Sequence, residues 1–254
     1  MATLDVRTSD QRFRTELSWL DSRHSFSFGG HYDPRNTHFG LLVVSNDDRV
    51  SPNTGFETHP HRDMEIVTWV LEGSLVHQDS EGNHDVIYPG LAQRMSAGTG
   101  ILHSEKNDAW RLDGNVERVE PVHFVQMWVL PDEPGVTPGY EQLEIGDELS
   151  RGGLVTVASG MARHRDSTAI RIRQKFAALH AGQLEPGGVV TLPTAPYLHL
   201  FVARGEVTLE EAGGLGTGDA ARISVGGGQR VTAGPTGAEI LIWQMHRDPV
   251  TARS

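Results

Sequence analysis

Two pairs of residues in this chain have the types and spacing of metal ligands. His59 and His61 stand two apart in THPHRDMEIVTWVLEG (58–73), at the head of an apolar run through Ile66, Val67, Trp69, Val70 and Leu71. His103 and Glu105 stand two apart in AGTGILHSEKN (97–107). In a β-strand residues i and i+2 face the same side, so the members of each pair point together. The first pair alone allows two readings: polar residues at a strand end, or ligands aimed into a barrel. The second pair favours ligands, because two strands facing each other across a small barrel can close one site. Three imidazoles and a carboxylate form a nitrogen and oxygen set without sulfur. That set suits Fe(II), Mn(II), Ni(II), Cu(II) or Zn(II). Four such ligands leave two octahedral positions for substrate, water or dioxygen.

The elements that must carry these residues read as strands. The chain has 29 glycines and 13 prolines, and short β-rich runs recur between turn signals. This is the pattern of an all-β sandwich or barrel. FGLLVVSND (39–47), MEIVTWVLEG (64–73), SLVHQD (74–79), HFVQMWVLP (123–131), GLVTVAS (153–159) and LHLFVARGEVTLEE (198–211) are the expected strands, and DSEGN (79–83) a hairpin loop. Helical periodicity is weak except near the N-terminus and around 140–150. PDEPGVTPGY (131–140) is the expected connector. EGSLVHQDSEGNHDVIYPG (72–90) and RGEVTLEEAGGLGTGDAARISVGG (204–227) share a strand, turn, strand pattern. The expectation is two β-barrels in tandem: a metal-binding N-terminal one over 1–135 and a metal-free C-terminal one over 136–254.

Composition bounds the function. The chain has 254 residues and no cysteine, which removes disulfides and thiolate metal sites and is compatible with a reducing compartment. Its 33 acidic and 22 basic residues give a net charge of −11, with no Lys or Arg cluster of the kind duplex DNA requires. Direct nucleic-acid binding is not expected; binding to another protein is compatible with this charge. The first residues carry Asp5, Arg7, Asp10, Arg12, Arg14 and Glu16 without an apolar segment, and no run approaches a membrane span. A cytoplasmic location is the expectation.

HPHRDMEIVTWVLEG followed by MSAGTGILHSE resembles the signature of the pirin family, within the cupin superfamily. Gly55, His59, His61, Glu65 and Gly73 match the first cupin motif, and His103 and Asn107 the second, which lacks the usual cupin proline as in pirins. The flanking WLDSRHSFSFGGHYDP (19–34), HQDSEGN (77–83) and QMWVLPDEPGVTPGYEQ (126–142) resemble bacterial pirins with quercetinase activity. The likeness is dense from about residue 17 to 142 and thin beyond.

The resemblance implies a bicupin fold: two antiparallel jelly-roll barrels face to face. It implies one divalent metal per chain, iron first and Mn, Ni, Cu, Co or Zn as alternatives. The ligands carried over are His59, His61, His103 and Glu105. Glu65 stands where many other cupins supply a carboxylate ligand, and strand parity places it on the face of His59 and His61; it is read as supporting the site. The implied activity is dioxygenation of flavonols such as quercetin by O2, with release of carbon monoxide. Glu105 is the first candidate to take the proton of the flavonol 3-hydroxyl, and Glu65 the other. Eukaryotic pirins act as metal- and redox-dependent co-regulators. The alternative is therefore a non-catalytic regulatory protein that binds transcription factors or partner enzymes.

The second half departs from any ligand pattern. Thr191, Leu192, Pro193 and Thr194 stand where a pair would be, GDAARISVGG has no histidine, and His199 is isolated on an apolar strand, expected to be packed and hydrogen-bonded. His77 and His84 flank a hairpin and are expected in solvent. Trp19, Phe26, Phe28 and Phe39 are expected to pack in the core or over the site. Glu206, Glu210 and Glu211 read as an exposed face, and GGLGTGD (213–219) as a turn, since it lacks the strand-to-helix setting of a phosphate loop.

Overall fold

The computed structural model describes residues 3–108 and 120–249. The chain folds almost entirely into strands. They are β1 (Thr3–Arg7), β2 (Phe13–Glu16), β3 (Leu20–His24), β4 (Leu42–Val50), β5 (Thr54–His61), β6 (Glu65–Glu72), β7 (Leu75–Asp79), β8 (His84–Ile87), β9 (Leu91–Ser96), β10 (Ile101–Asn107), β11 (Val122–Val129) and β12 (Gly139–Glu144). A short helix α1 (Gly146–Leu149) follows, then β13 (Val155–Ser159), β14 (Ala177–Leu184), β15 (Val189–Thr191), β16 (Ala195–Leu209), β17 (Gly213–Gly216), β18 (Ala220–Gly226) and β19 (Arg230–Met245).

The first half is two sheets. One has the order β5-β10-β7-β8; the other runs β12-β9-β6-β11-β4-β3-β2. The second half is one eight-stranded sheet on the path β1-β18-β16-β19-β14-β13, with β15 on β19 and β17 on β16. All strand pairs are antiparallel, in a jelly-roll arrangement. The sheets are open and do not close into the expected barrels. A closed barrel needs its first and last strands to pair, whereas here β5 and β8, and β12 and β2, remain edges of their sheets.

Alternation along β6 explains how the halves are joined. Val67, Trp69 and Leu71 point into a core shared with Val157, Leu179, Phe201, Leu241 and Trp243 of the second half. Val70 points the other way, with Leu75, Ile87, Val122 and Phe124, into the interior of the first half. A strand buried on both faces reads as a continuous apolar run, and this one does. Polar links cross the shared core: Trp69 Nε1 donates to Glu239 Oε1 at 2.7 Å, and Trp243 Nε1 lies 3.2 Å from Met127 Sδ.

The strand pairings do not respect a cut at 135/136. β12, which begins at Gly139 inside the Pro-Gly segment 131–140, pairs β9 of the first half. β1 pairs β18 of the second half. The N-terminal segment is strand and 3-10 turn (Ser9–Gln11), not the expected helix. Its pattern was ambiguous because pairing with a distant edge, not local periodicity, determines it.

Candidate metal centre

β10 organises the candidate ligands because it pairs on both sides. His103 is opposite His59 of β5, and Glu105 is opposite His77 of β7. Opposed residues in an antiparallel ladder point to the same face. The register between β10 and β5 shifts between His103 and Glu105, leaving Glu105 opposite Phe56. This bulge keeps Phe56 and His59 on one face and re-aims the strand at the site. Gly55 permits the close approach: a Cβ there would sit 2.3 Å from the Glu105 carbonyl oxygen.

The three histidines meet. Ring centroids are 4.9 Å apart for His59 and His61, 4.4 Å for His59 and His103, and 4.9 Å for His61 and His103. One ring nitrogen from each lies within 4.8 Å of the others. His59 Nδ1 is 2.7 Å from the Glu57 carbonyl oxygen. A carbonyl only accepts, so Nδ1 carries the proton and Nε2 offers a lone pair. His61 Nε2 and both nitrogens of His103 are buried without a hydrogen-bond partner. Burial, then repulsion from neighbouring imidazoles, lowers the His61 pKa to about 4. Burial also takes His103 down to about 4, against the pull of Glu105. Both rings are therefore neutral near pH 7, the form that binds metal.

Glu105 joins His103 from the other side. A second cluster, also within 4.8 Å, consists of His77, His103 and Glu105, all buried. Gln126 Nε2 donates to Glu105 Oε1 at 2.8 Å and Oε2 at 2.9 Å. Burial pushes this carboxyl up, but His103, the Gln126 hydrogen bond, His77 and His59 outweigh it and hold the pKa below the ordinary value. Glu105 is thus held in its anionic form beside His103. His103 belongs to both clusters and links Glu105 to the trio of His59, His61 and His103.

His77 corrects the expectation of a solvated histidine: it is 1% exposed. Its Nε2 is 3.1 Å from Asp79 Oδ2, and its Nδ1 is buried without a partner. The carboxylate accepts a hydrogen bond from the Nε2–H, which leaves Nδ1 with a free lone pair. The sequence held a signal for it: His77 and Asp79 are another i, i+2 pair. What it did not show is that β7 pairs with β10.

Glu65 is not at this site. The chain leaves β5 at His61, turns through Asp63 at φ +48°, and enters the other sheet as β6, so parity does not carry across. Glu65 lies on the face of Trp69, and its Oε2 accepts from Ser96 Oγ at 2.8 Å and from the Arg173 amide at 2.9 Å. Burial raises its pKa against those two hydrogen bonds. Thr68, on the opposite face of β6, is the residue of this strand that approaches Glu105, at 3.4 Å. Asn107 ties the end of β10 down by donating to the carbonyls of Val50 and Glu120, each at 3.0 Å.

Aromatic rings and two clefts border the histidines. Trp128 meets His61 edge to face at 4.8 Å, and its Nε1 donates to Gln126 Oε1 at 2.9 Å. Phe28 packs on Trp128 at 5.7 Å. A cleft of about 420 Å³ opens beside His61, lined also by Pro60, Ile101 and Leu102. Another of about 560 Å³ opens beside His59 and Phe56.

The donor atoms are of the types a divalent first-row ion takes: three imidazoles close enough to share an ion, with partnerless buried nitrogens on His61 and His103, and a carboxylate that clusters with His103. Buried unpaired polar atoms are costly, and coordination satisfies them. Both clusters among the described residues lie in the first half. His199 is packed at 1% exposure beside Phe26; a backbone hydrogen bond reaches its ring, while its Nε2 has no hydrogen-bond partner.

Comparison with known proteins agrees with this geometry. The chain is 58% identical over 245 residues to a Mycobacterium tuberculosis protein provisionally named as a quercetin 2,3-dioxygenase, covering 96% of each chain. It is 47% identical over 137 residues to the Escherichia coli quercetin 2,3-dioxygenase, covering 54% of this chain and 56% of that one. The first of these shows that similarity can continue well past residue 142. The crystal structure of YhhW from Escherichia coli superposes with a TM-score of 0.83 at 34% identity, covering 96% of this chain and all of that one. The bacterial pirin YhhW in complex with nickel(II) matches with a TM-score of 0.82 at 33% identity, again over 96% of this chain and 100% of that one. The pirin family model matches residues 6–129, the stretch that carries His59, His61, His77, His103 and Glu105. By relatives of nearly its full length and by this match, the chain belongs to the pirin family.

Proposed function

We propose that this chain is a metal-dependent dioxygenase that opens the heterocyclic ring of flavonols such as quercetin. One divalent ion per chain, iron first, would be held by His59, His61, His103 and Glu105. The observation that carries this reading is the convergence of three imidazoles, with partnerless buried nitrogens on His61 and His103, beside an anionic Glu105. The named activity of the relatives supplies the substrate class. The nickel(II) complex of the bacterial pirin supports a first-row ion here, and a nitrogen and oxygen ligand set accepts several such ions.

When bound, such an ion supplies Lewis acidity, which lowers the pKa of a nearby hydroxyl. The protein groups do the rest. The Glu57 carbonyl orients His59, and Gln126 fixes both oxygens of Glu105. Trp128 forms a flat wall beside His61. Glu105 accepts the flavonol 3-hydroxyl proton. A carboxylate held below its ordinary pKa is a weak base, so this step needs the hydroxyl to be acidified first. Glu65 is engaged instead by Ser96 and the Arg173 amide, on the face of β6 opposite to Thr68 and Glu105.

The test is anaerobic reconstitution of the metal-free protein with each divalent ion, followed by quercetin and air. O2 uptake with carbon monoxide release supports the proposal. Protein that binds its ion yet consumes no O2 with any flavonol would favour a metal-responsive regulatory role instead.

A further inference from the structure

A cleft of about 530 Å³ lies away from the histidine cluster, at the seam where the N-terminal segment passes between the halves. It is lined by Arg7, Arg12, Arg35 and Arg222, with Asp33 as its one carboxylate. Four arginines in one cleft are notable in a chain of net charge −11. The fold gathers them from distant sequence: Arg7 ends β1, Arg12 follows the 3-10 turn, Arg35 sits in the loop before β4, and Arg222 is on β18.

Their partners separate them. Arg7 pairs with Asp5 at 2.9 Å, Arg12 with Asp47 at 3.3 Å and Arg35 with Asp33 at 3.5 Å. Arg222 has no carboxylate partner among the described residues. It is 8% exposed, its guanidinium lies 4.6 Å over the Phe26 ring, and its Nη2 donates to the Ser25 carbonyl at 2.8 Å. Asp5 stands opposite Arg222 across β1 and β18 and attracts it, but its carboxylate pairs with Arg7 and not with Arg222; a buried cation without a contacting carboxylate is costly, and an aromatic face offsets only part of that cost.

Unpartnered atoms concentrate at the same place. Arg222 Nε, Arg12 Nε, Ser25 Oγ and Asn36 Oδ1 are all buried without a hydrogen-bond partner, and all four residues line the cleft. Three of these atoms can donate. Donors around a guanidinium without a carboxylate form a receptor for an anion with two or more oxygens. The volume suits a small organic molecule rather than a bare ion.

We infer that this cleft binds a small organic oxyanion, a carboxylate or a phosphate, with Arg222 as its principal partner and Arg7 and Arg35 at the rim. The inference does not depend on the metal centre or on the dioxygenase reading.

The test is calorimetric titration of the metal-loaded protein with inorganic phosphate and, separately, benzoate, with neutral benzamide as control. Saturable binding of phosphate or benzoate at about one per chain, without binding of benzamide, is expected, and the preferred anion identifies the group. Arg222→Gln should weaken that binding about tenfold or more, since a charge-assisted contact is lost. If Arg222→Gln does not fold, Arg7→Gln and Arg35→Gln decide, because both side chains are substantially solvent-exposed and each should weaken binding several-fold. Binding should persist in the His59→Ala, His103→Ala variant. Absence of saturable binding by either anion, indifference to all three arginine substitutions, or loss of binding in the histidine variant would each overturn the inference. The last result would assign the anion to the metal centre.

Discussion

Gln126 clamps Glu105: a single amide nitrogen donates to both carboxylate oxygens, at 2.8 and 2.9 Å. Both residues are buried, so the clamp fixes where the carboxylate points. Gln126→Leu should lower metal affinity about 10–100-fold, the usual effect of losing a partner that orients a ligand. Competition with a chelator measures it. Unchanged affinity would mean that Glu105 needs no such support.

His77 extends the same logic to the opposite side of β10. His77→Phe should lower metal affinity by about tenfold or more, because it removes a buried imidazole beside His103 and Glu105. His84→Ala, on the neighbouring strand, should leave it unchanged. Equal effects from the two substitutions would return His77 to a packing role.

Two glutamates separate site from scaffold. Glu105→Gln should abolish most turnover while the protein stays folded. Glu65→Gln should leave metal content and turnover intact, because its oxygen can still accept from Ser96 and the Arg173 amide. Loss of ring cleavage in Glu65→Gln with metal retained would reverse this assignment.

What the sequence made legible follows from what is local. β4, β6, β7, β11, β13 and β16 all fall on runs readable from alternation and turn residues. The ligand pairs were readable because a strand places i and i+2 together. Long-range pairing was not readable: β1 joining β18, β12 joining β9, and β7 joining β10 are set by partners far away in sequence. Those pairings bury His77, move the boundary between halves, and gather the arginine cleft. Glu65 misled because parity holds within one strand, and a turn at Asp63 separates it from His61.

Asp48 gives a pH signature. It faces Ser22 across β3 and β4, and burial raises its pKa to about 7, opposed by the Ser22 hydrogen bond. A raised carboxyl pKa means that the folded protein binds this proton more tightly than the unfolded chain. Its contribution to stability is therefore greatest below the unfolded value of 3.8 and is lost as pH rises to about 7. Asp48→Asn keeps the shape without the charge. Its stability relative to the parent should rise with pH between about 4 and about 8, by on the order of 1–4 kcal/mol in total. Thermal melts across that range decide it, and a difference that stays flat with pH would contradict the burial of this charge.

The most direct test of the metal centre is the ion content of purified protein, measured by mass spectrometry of the elements after reconstitution. The parent and His199→Ala should each hold about one first-row ion per chain, and the His59→Ala, His103→Ala double variant close to none. Full occupancy in the double variant, in a folded protein, would contradict the assignment of these histidines as ligands.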